Sequence, residues 1–352
     1  MMYKFEQLFK WSSGKPIVPT NGPIPIYGSN GIIGYTGEKK YHNKIILGRV
    51  GAYCGSVAYC PDDFNATDNT LITSCDEEKI DYCFAYYLLK QYKLNGFAGG
   101  SAQPLITQGL LNHLKCDIPA LNIQKKIVEI LSAYDNLIEN NNKRIKILEQ
   151  MAENLYKEWF VRFRFPGHET TPLENGIPKG WKIEKIKNCV KRLPFGKTYK
   201  EAELEKEGSV IVIDQSTEPF IGYHDDVAAH QASANNPIIL FGDHSCKFVL
   251  MTRNFSLGEN IVPFVSYNDE IVNPYYLFFA THKIIETTEY KRHWGEFVNK
   301  KILIPSIDLQ KEFARMSIPL KLQLEQLLIE NQNLIKQRDL LLPRLMSGKL
   351  AV

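Results

Sequence analysis

Several groupings in this sequence have the residue types that do chemistry. Pro61-Asp62 followed by Glu77-Glu78-Lys79 has the loose spacing of a metal-dependent nuclease, in which carboxylates hold Mg²⁺ and a lysine helps position water. Such spacing is frequent by chance in charged sequences, so a single-chain Mg-dependent nuclease stands as a competing reading only. Asn273-Pro274-Tyr275-Tyr276 is close to the Asn-Pro-Pro-Tyr with which amino-methyltransferases hold a flipped base. The second Pro is absent, however, and no Gly-rich cofactor loop follows a strand upstream. The segment reads as a helix start with Pro in its first turn. Gly196-Lys197-Thr198 ends like a phosphate-binding loop, but position 191 is Lys where that loop needs Gly. The seven cysteines (Cys54, Cys60, Cys75, Cys83, Cys116, Cys189, Cys246) are odd in number and never spaced C-x-x-C. That speaks against a disulfide framework or a zinc knuckle and for a reducing compartment. The eight histidines do not pair at metal-ligand spacing. No catalytic or metal-binding residue survives this survey, and no cofactor is expected on the chain itself.

The elements around these residues are those of a globular protein. The 352 residues suffice for two domains with cores of their own, at 44% hydrophobic and 23% charged residues. A net charge of +3 permits nucleic-acid binding without demanding it. The opening Met1-Met2-Tyr3-Lys4-Phe5-Glu6 has no apolar core of a signal peptide. No apolar run approaches the roughly 18–20 residues that cross a bilayer. A cytoplasmic protein without a membrane partner is expected.

The chain is written twice. Lys4-Phe5-Glu6-Gln7-Leu8 returns as Lys182-Ile183-Glu184-Lys185-Ile186, Gly14-Lys15 as Gly196-Lys197, and Ile45-Ile46-Leu47 as Ile238-Ile239-Leu240. Asp117-Ile118-Pro119 with Gln124-Lys125-Lys126-Ile127 returns as Leu303-Ile304-Pro305 with Gln310-Lys311-Glu312-Phe313, both at an offset of 186. Each half opens with short apolar runs bounded by Gly, Pro, Asn and Asp, which read as strands. In the first half these are 44–50 and 56–60; in the second, 210–214, 237–241 and 248–252. Ile80–Lys93 and Asn273–Lys283 read as helices. A long charged helical segment closes each half, so the fold class is α+β.

From Gln124 to Phe160 there is neither Pro nor Gly. Ile127, Leu131, Tyr134, Ile138, Asn141, Ile145, Leu148, Ala152, Leu155 and Trp159 recur at alternating steps of four and three. This 3.5-residue period belongs to a seam between supercoiled helices. The second segment repeats it at Phe313, Ser317, Leu320, Leu324, Leu327, Asn331, Leu334, Arg338, Leu341 and Leu345. Pro319 predicts a kink or restart there, and Pro343 an end, so the regular rod is expected over 320–342. Asn141 and Asn331 both fall on the seam, where a polar residue lowers stability but fixes register and partner. The two helices are expected to pair with each other.

At these residues the sequence resembles the specificity subunits of Type I restriction–modification systems, over nearly its whole length. Gly22-Pro23-Ile24-Pro25-Ile26-Tyr27-Gly28-Ser29-Asn30-Gly31-Ile32-Ile33-Gly34-Tyr35 is similar to the start of a target recognition domain, and Gly99-Gly100-Ser101-Ala102-Gln103-Pro104 to a later loop. Leu155-Tyr156-Lys157-Glu158-Trp159-Phe160, then Phe165-Pro166-Gly167, is similar to the end of the first helix of such subunits. Gly176-Ile177-Pro178-Lys179-Gly180-Trp181 resembles the opening of the second domain, and Leu342-Pro343-Arg344-Leu345-Met346-Ser347-Gly348-Lys349-Leu350 the C-terminal signature. The resemblance implies two target recognition domains joined by an antiparallel coiled coil with a pseudo-twofold internal repeat. It places the first domain at 1–122, the first helix at 123–162, the second domain at 163–308 and the second helix with the C-terminal segment at 309–352. It also implies a bipartite, asymmetric double-stranded DNA site, two docked methyltransferase subunits and further restriction subunits. S-adenosylmethionine, ATP and Mg²⁺ belong to those partners. The second half has no match to Ser101-Ala102-Gln103-Pro104, so its reading surface is expected to be built differently.

Duplex reading needs Arg and Lys for guanine or phosphate and Asn and Gln for adenine. In the first half Lys15, Ser29, Asn30, Lys39, Lys40, Arg49, Ser101 and Gln103 offer this mixture, Gln103 foremost, in a Gly-rich loop before Pro. In the second half Lys197, Lys247, Arg253, Lys291, Arg292 and His293 do so. A third reading is a coiled-coil adaptor whose globular ends bind proteins.

Overall fold

A computed structural model describes residues 1–99, 104–286, 289 and 291–352. The chain divides into two compact units, Met1–Asn141 with Glu330–Val352, and Asn142–Ile329. Each unit takes part of both long helices, so the division cuts across the elements.

In the first unit, β1 (Met2–Lys4) pairs antiparallel with β8 (Lys115–Asp117). The strands β2 (Phe9–Ser13), β3 (Ile24–Gly28), β4 (Gly31–Thr36), β5 (Tyr41–Gly48), β6 (Val57–Ala66) and β7 (Thr70–Cys75) form one sheet in the order β2-β7-β5-β6-β3-β4. Helix α1 (Tyr82–Gln91) covers it and α2 (Gln108–His113) precedes β8. Asp81 caps α1, its side chain accepting from Phe84 N. The core joins Phe5, Ile45, Leu47, Phe84 and Leu88 to Ile127, Leu131, Leu342 and Leu345 of the long helices.

The second unit repeats this plan. After the short pair β9 (Leu173–Glu174) and β10 (Ile177–Pro178) come β11 (Lys182–Lys185), β12 (Val190–Arg192), β13 (Val210–Ile213), β14 (Gly222–His224), β15 (Ile238–Gly242), β16 (Phe248–Met251), β17 (Phe255–Leu257), β18 (Ile261–Ser266) and β19 (Lys301–Ile304). The sheets run β12-β18-β15-β16 and β14-β13-β17. The central β15 lies between β16 and β18 as β5 lies between β6 and β7. Helices α4 (Pro274–Thr281) and α5 (Trp294–Asn299) complete it. Asn273 caps α4, accepting from Tyr275 N at 3.0 Å, with Pro274 in the first turn, as the helix-start reading of this motif expects. The start of the repeat needs a correction. Phe5 N donates to Leu114 O and Ile186 N to Lys300 O, so Phe5 matches Ile186, three residues from the match suggested by Lys4 and Lys182. Similar side chains in two short strands had outweighed the ladder register, which only backbone hydrogen bonds settle.

The long helices are α3 (Leu121–Tyr156), continued by a π-type turn over Lys157–Val161, and α6 (Ile307–Met346). Neither proline breaks α6. Pro319 and Pro343 each remove one backbone donor, yet the helix starts twelve residues before Pro319 and ends three after Pro343. Flanking turns anchored by Phe313, Leu342 and Leu345, all buried, hold the geometry through both sites. The pairing is antiparallel within each unit. In the first, Ile127 and Leu131 share a core with Leu345 and Leu342, and Asp135 bonds Arg338. In the second, Ile145 and Leu148 pack with Leu327, beside Leu320 and Leu324. Tyr134, Ile138, Leu155, Leu334 and Leu341 are half-buried, and Asn141 and Asn331 are buried. Leu137, Ile147, Met151, Leu322, Ile335 and Leu340, off the seam, are exposed.

Candidate nucleic-acid interface

In the first unit the sheet gathers three connections at the C-terminal end of β5. Ser29, in the two-residue turn between β3 and β4, donates its hydroxyl to Asn69 O at 2.6 Å. Its own carbonyl accepts from Ser56 Oγ at 2.7 Å. Arg49 N donates to the same Asn69 carbonyl at 2.9 Å, and Ile106 N donates to Arg49 O at 3.0 Å. Ser29, Asn30 and Arg49 are thereby brought together, with Asn69 exposed beside them. Arg49 Nε is buried without a hydrogen-bond partner among the described residues. Lys15 joins the segment leading into this cluster, its N–H bonded to Ala66 O at 3.2 Å. Lys39 and Lys40 do not join it. They stand at the start of the eight-residue β5, about 25 Å away at ~3.3 Å per residue. There Lys39 pairs with Asp63 at 3.4 Å and Lys40 N donates to Phe64 O. Ser101 and Gln103 lie outside the described residues.

The second unit treats its candidates unevenly. Arg292 is 79% exposed at 3.9 Å from Asp243, and Lys291 pairs with Glu289 at 3.3 Å. Asp243 follows the end of β15 and accepts from His293 N and Trp294 N, so these residues share the end of the sheet that matches the Arg49 cluster. Lys197 binds Asp226 at 2.6 Å, which raises the lysine and, with Tyr199, holds the Asp226 carboxyl below its usual range. Arg253 follows β16, half-buried. Two candidates need correcting. Lys247 gives its ammonium to Asp214 O and Glu218 O at 3.1 and 2.5 Å, and burial lowers its pKa, so it ties loops together. His293 is 1% exposed at the start of α5, with Nε2 against Glu289 O at 3.2 Å. Neither side chain is presented outward. Three residues escaped the sequence reading: Tyr53, 53% exposed on the β5–β6 turn, and Phe195 with Arg192, whose guanidinium lies 4.7 Å from the Phe195 ring. The signals were present in Gly51-Ala52-Tyr53-Cys54-Gly55 and Pro194-Phe195-Gly196, since aromatics held between turn residues tend to be displayed.

Nuclease-like geometry does not form around Lys79, whose ammonium is held by Asp76 at 2.6 Å and contacts the Gln7 carbonyl. Among the described residues no three or more His, Cys, Asp or Glu gather as metal ligands.

Residues 3–150 match the family described as the Type I restriction modification DNA specificity domain. The Type I restriction enzyme MjaIX specificity subunit of Methanocaldococcus jannaschii is 27% identical over 305 residues, 76% of this chain and 69% of that protein. The putative MjaX specificity subunit of the same organism is 24% identical over 87% of this chain and 76% of its own length. Over residues 3–150 the chain carries a Type I DNA specificity domain, and over most of its length it is similar to Type I specificity subunits. The fold is similar to that of a solved protein: the crystal structure of a Type I restriction–modification S subunit from M. genitalium superposes with a TM-score of 0.64 at 18% identity, covering 98% of this chain and 95% of that one. The family match ends at residue 150, but in the second unit β12-β18-β15-β16 repeats the order of β2-β7-β5-β6 in the first, followed by a capped helix and a closing long helix, while β14-β13-β17 forms a separate sheet.

Proposed function

We propose that this chain, as a Type I specificity subunit, reads a bipartite, asymmetric duplex DNA site, one half with each target recognition domain, and carries no catalysis of its own. The observation that carries the reading is the convergence of Ser29, Asn30 and Arg49 at one end of the first sheet, with Arg292 and Arg192 near the matching end of the second. Hydroxyl, amide and guanidinium groups on short, hydrogen-bonded turns have the chemistry of base edges and phosphates. Two unlike sets in one chain suit a site whose halves differ, where a homodimer would require a palindrome. The helices α3 and α6, shared by both units, tie the two readers into one scaffold and offer exposed apolar side chains such as Leu137, Met151 and Leu322 to two methyltransferase subunits, with restriction subunits joining them. Those partners supply S-adenosylmethionine, ATP and Mg²⁺. All seven cysteines are free thiols, in keeping with work in the cytoplasm. No described helix is long and apolar enough to cross a membrane.

The test is to sequence methylated adenines in DNA from cells expressing this chain with its methyltransferase subunit. A two-part, non-palindromic motif, absent when either protein is omitted, is the expected result. Methylation without a shared motif, or Mg²⁺-dependent cleavage by the lone chain that Glu77→Ala abolishes, would overturn it.

A further inference from the structure

Near the end of the sheet where the contacts gather, Tyr53 in the first unit and Phe195 in the second display their rings to solvent, Phe195 against the Arg192 guanidinium. Tyr53 rides on a turn closed by Cys54 N to Gly51 O at 3.0 Å and Ser56 N to Tyr53 O at 3.1 Å. Gly51 and Gly55 have φ of +78° and +86°, and a Cβ at Gly55 would lie 2.3 Å from Asn95 N. Cys54 beside the ring is buried, its thiol directed to Arg49 O at 3.1 Å. The turn is thus fixed from several sides, and the exposure of Tyr53 is not slack in a loop. In the second unit Phe195, 39% exposed, sits between Pro194 and Gly196 (φ +70°). Its carbonyl accepts from His230 Nε2 at 3.1 Å. Arg192 bridges the Phe195 ring at 4.7 Å and the Trp294 ring at 5.9 Å, and Trp294 N bonds Asp243, the residue that follows β15.

Apolar rings held in water by rigid backbone forgo the burial they would have in a core. The rings sit among polar and basic groups, Ser29, Asn30 and Arg49 in one domain and Lys191, Arg192 and Arg292 in the other, with Ile32, Ile33 and Phe97 as further exposed apolar side chains in the first. Basic and amide groups interleaved with single aromatics make a nucleic-acid face. We propose that Tyr53 and Phe195 each make an apolar contact with base edges of duplex DNA, one ring to each half-site. The inference rests on the DNA-reading function proposed above and adds the residues that bring specificity without charge. Because a neutral ring displaces no counterions, its contribution is independent of salt, unlike that of a lysine on a phosphate.

The experiment uses the complex of the full chain with its methyltransferase subunit and a fluorescent duplex bearing the methylated motif. Affinity is measured across a salt series for the parent, Tyr53→Ala, Tyr53→Phe, Phe195→Ala and Phe195→Leu. Each alanine variant is expected to lose about 5- to 100-fold in affinity with an unchanged salt slope and an unchanged melting temperature. Base changes in one half-site should lose their penalty in Tyr53→Ala, and changes in the other half-site in Phe195→Ala. The conservative variants, which keep an apolar side chain on the same backbone, should stay near the parent. Alanine variants within about two-fold of a parent that still discriminates its motif would overturn the inference while leaving the function intact. A changed salt slope, or equal loss of both half-sites from one variant, would also overturn it. A parent complex that fails to prefer its motif would instead sink the function itself.

Discussion

In the first unit Tyr87, Asp135 and Arg338 meet where the domain rests on its helices; in the second, the repeat puts Phe279, Lys321 and Ala152 at the same three positions. The match is fixed by a shared clamp. Gln124 Oε1 accepts from Asp81 N at 2.9 Å while its Nε2 donates to Lys79 O and Pro119 O at 2.8 and 2.9 Å. Gln310 Oε1 accepts from Asn273 N at 2.8 Å while its Nε2 donates to Ile271 O and Pro305 O at 3.1 and 2.9 Å. Both glutamines are 0% exposed. Around the first clamp Tyr87 OH donates to Asp135 at 2.6 Å and Arg338 to the other oxygen of Asp135 at 2.5 Å. Around the second a cavity of about 530 Å³ opens, lined by Ala152, Phe248, Phe279, His282, Lys321 and others. Lys321 turns to Glu325 at 3.1 Å, and Glu325 also accepts from Thr252. The clamp pairs the fully buried amide of each glutamine with backbone groups of a helix cap and a loop, and that amide has no water to turn to. The filling side chains are under no such compulsion, and there the two halves have parted.

The largest effect should come from the clamp. Gln124→Ala and Gln310→Ala each leave one N–H and two carbonyls, largely part-buried, without their glutamine partner, and each should destabilise its own unit by about 2 kcal/mol. Hydrogen exchange resolved by segment reads the two losses separately, which a single melting curve on a chain of two units cannot. Equal losses support a matched clamp; a difference above about 1 kcal/mol breaks the comparison at its root.

The filling positions should give changes no larger than these and opposite in sign. Arg338→Ala removes the charged donor of a partly buried Asp135 and should cost the first unit about 2 kcal/mol. Ala152→Leu, at the matching position, adds apolar volume beside open space and should stabilise the second unit by about 1 kcal/mol. Loss of stability on filling would mean that the cavity is needed open.

This contrast shows how far the sequence could be read. The seam was legible because a 3.5-residue period depends only on spacing along one helix, and Gln124 and Gln310 appeared as matched letters at an offset of 186. What those letters do was not legible, since Lys79 and Ile271 come from elsewhere in the chain. Pro319 was overread: local preference predicts a break, and buried neighbours override it. In the candidate site, residue type alone could not tell Arg49, whose backbone joins the turn cluster and whose Nε has no partner among the described residues, from Lys247, whose ammonium is used by two carbonyls. Tyr53 and Phe195 stand between turn residues, a signal the sequence carried, and the turn geometry shows both rings displayed.

Acid should separate the units last and least. Burial holds His282 below its ordinary 6.5, with Lys283 lowering it further and Glu153 on α3 opposing. Its ring stacks on Phe278 at 5.3 Å and meets Phe248 edge-on. Burial likewise lowers His230, against a backbone bond to Phe195 O. A histidine whose folded pKa lies below its unfolded value binds more protons when unfolded. Its stabilising contribution is therefore fully present above about pH 6.5 and is lost as pH falls through the folded value. Both histidines belong to the second unit, whereas His42 and His113 of the first are exposed. Between pH 7 and pH 5, hydrogen-exchange protection should decline in the second unit ahead of the first, and His282→Gln should flatten that decline. Parallel decline of both units, or no response to His282→Gln, would show that the open cavity already lets water solvate the charged ring, and the two seats would then differ in packing without differing in their tolerance of charge.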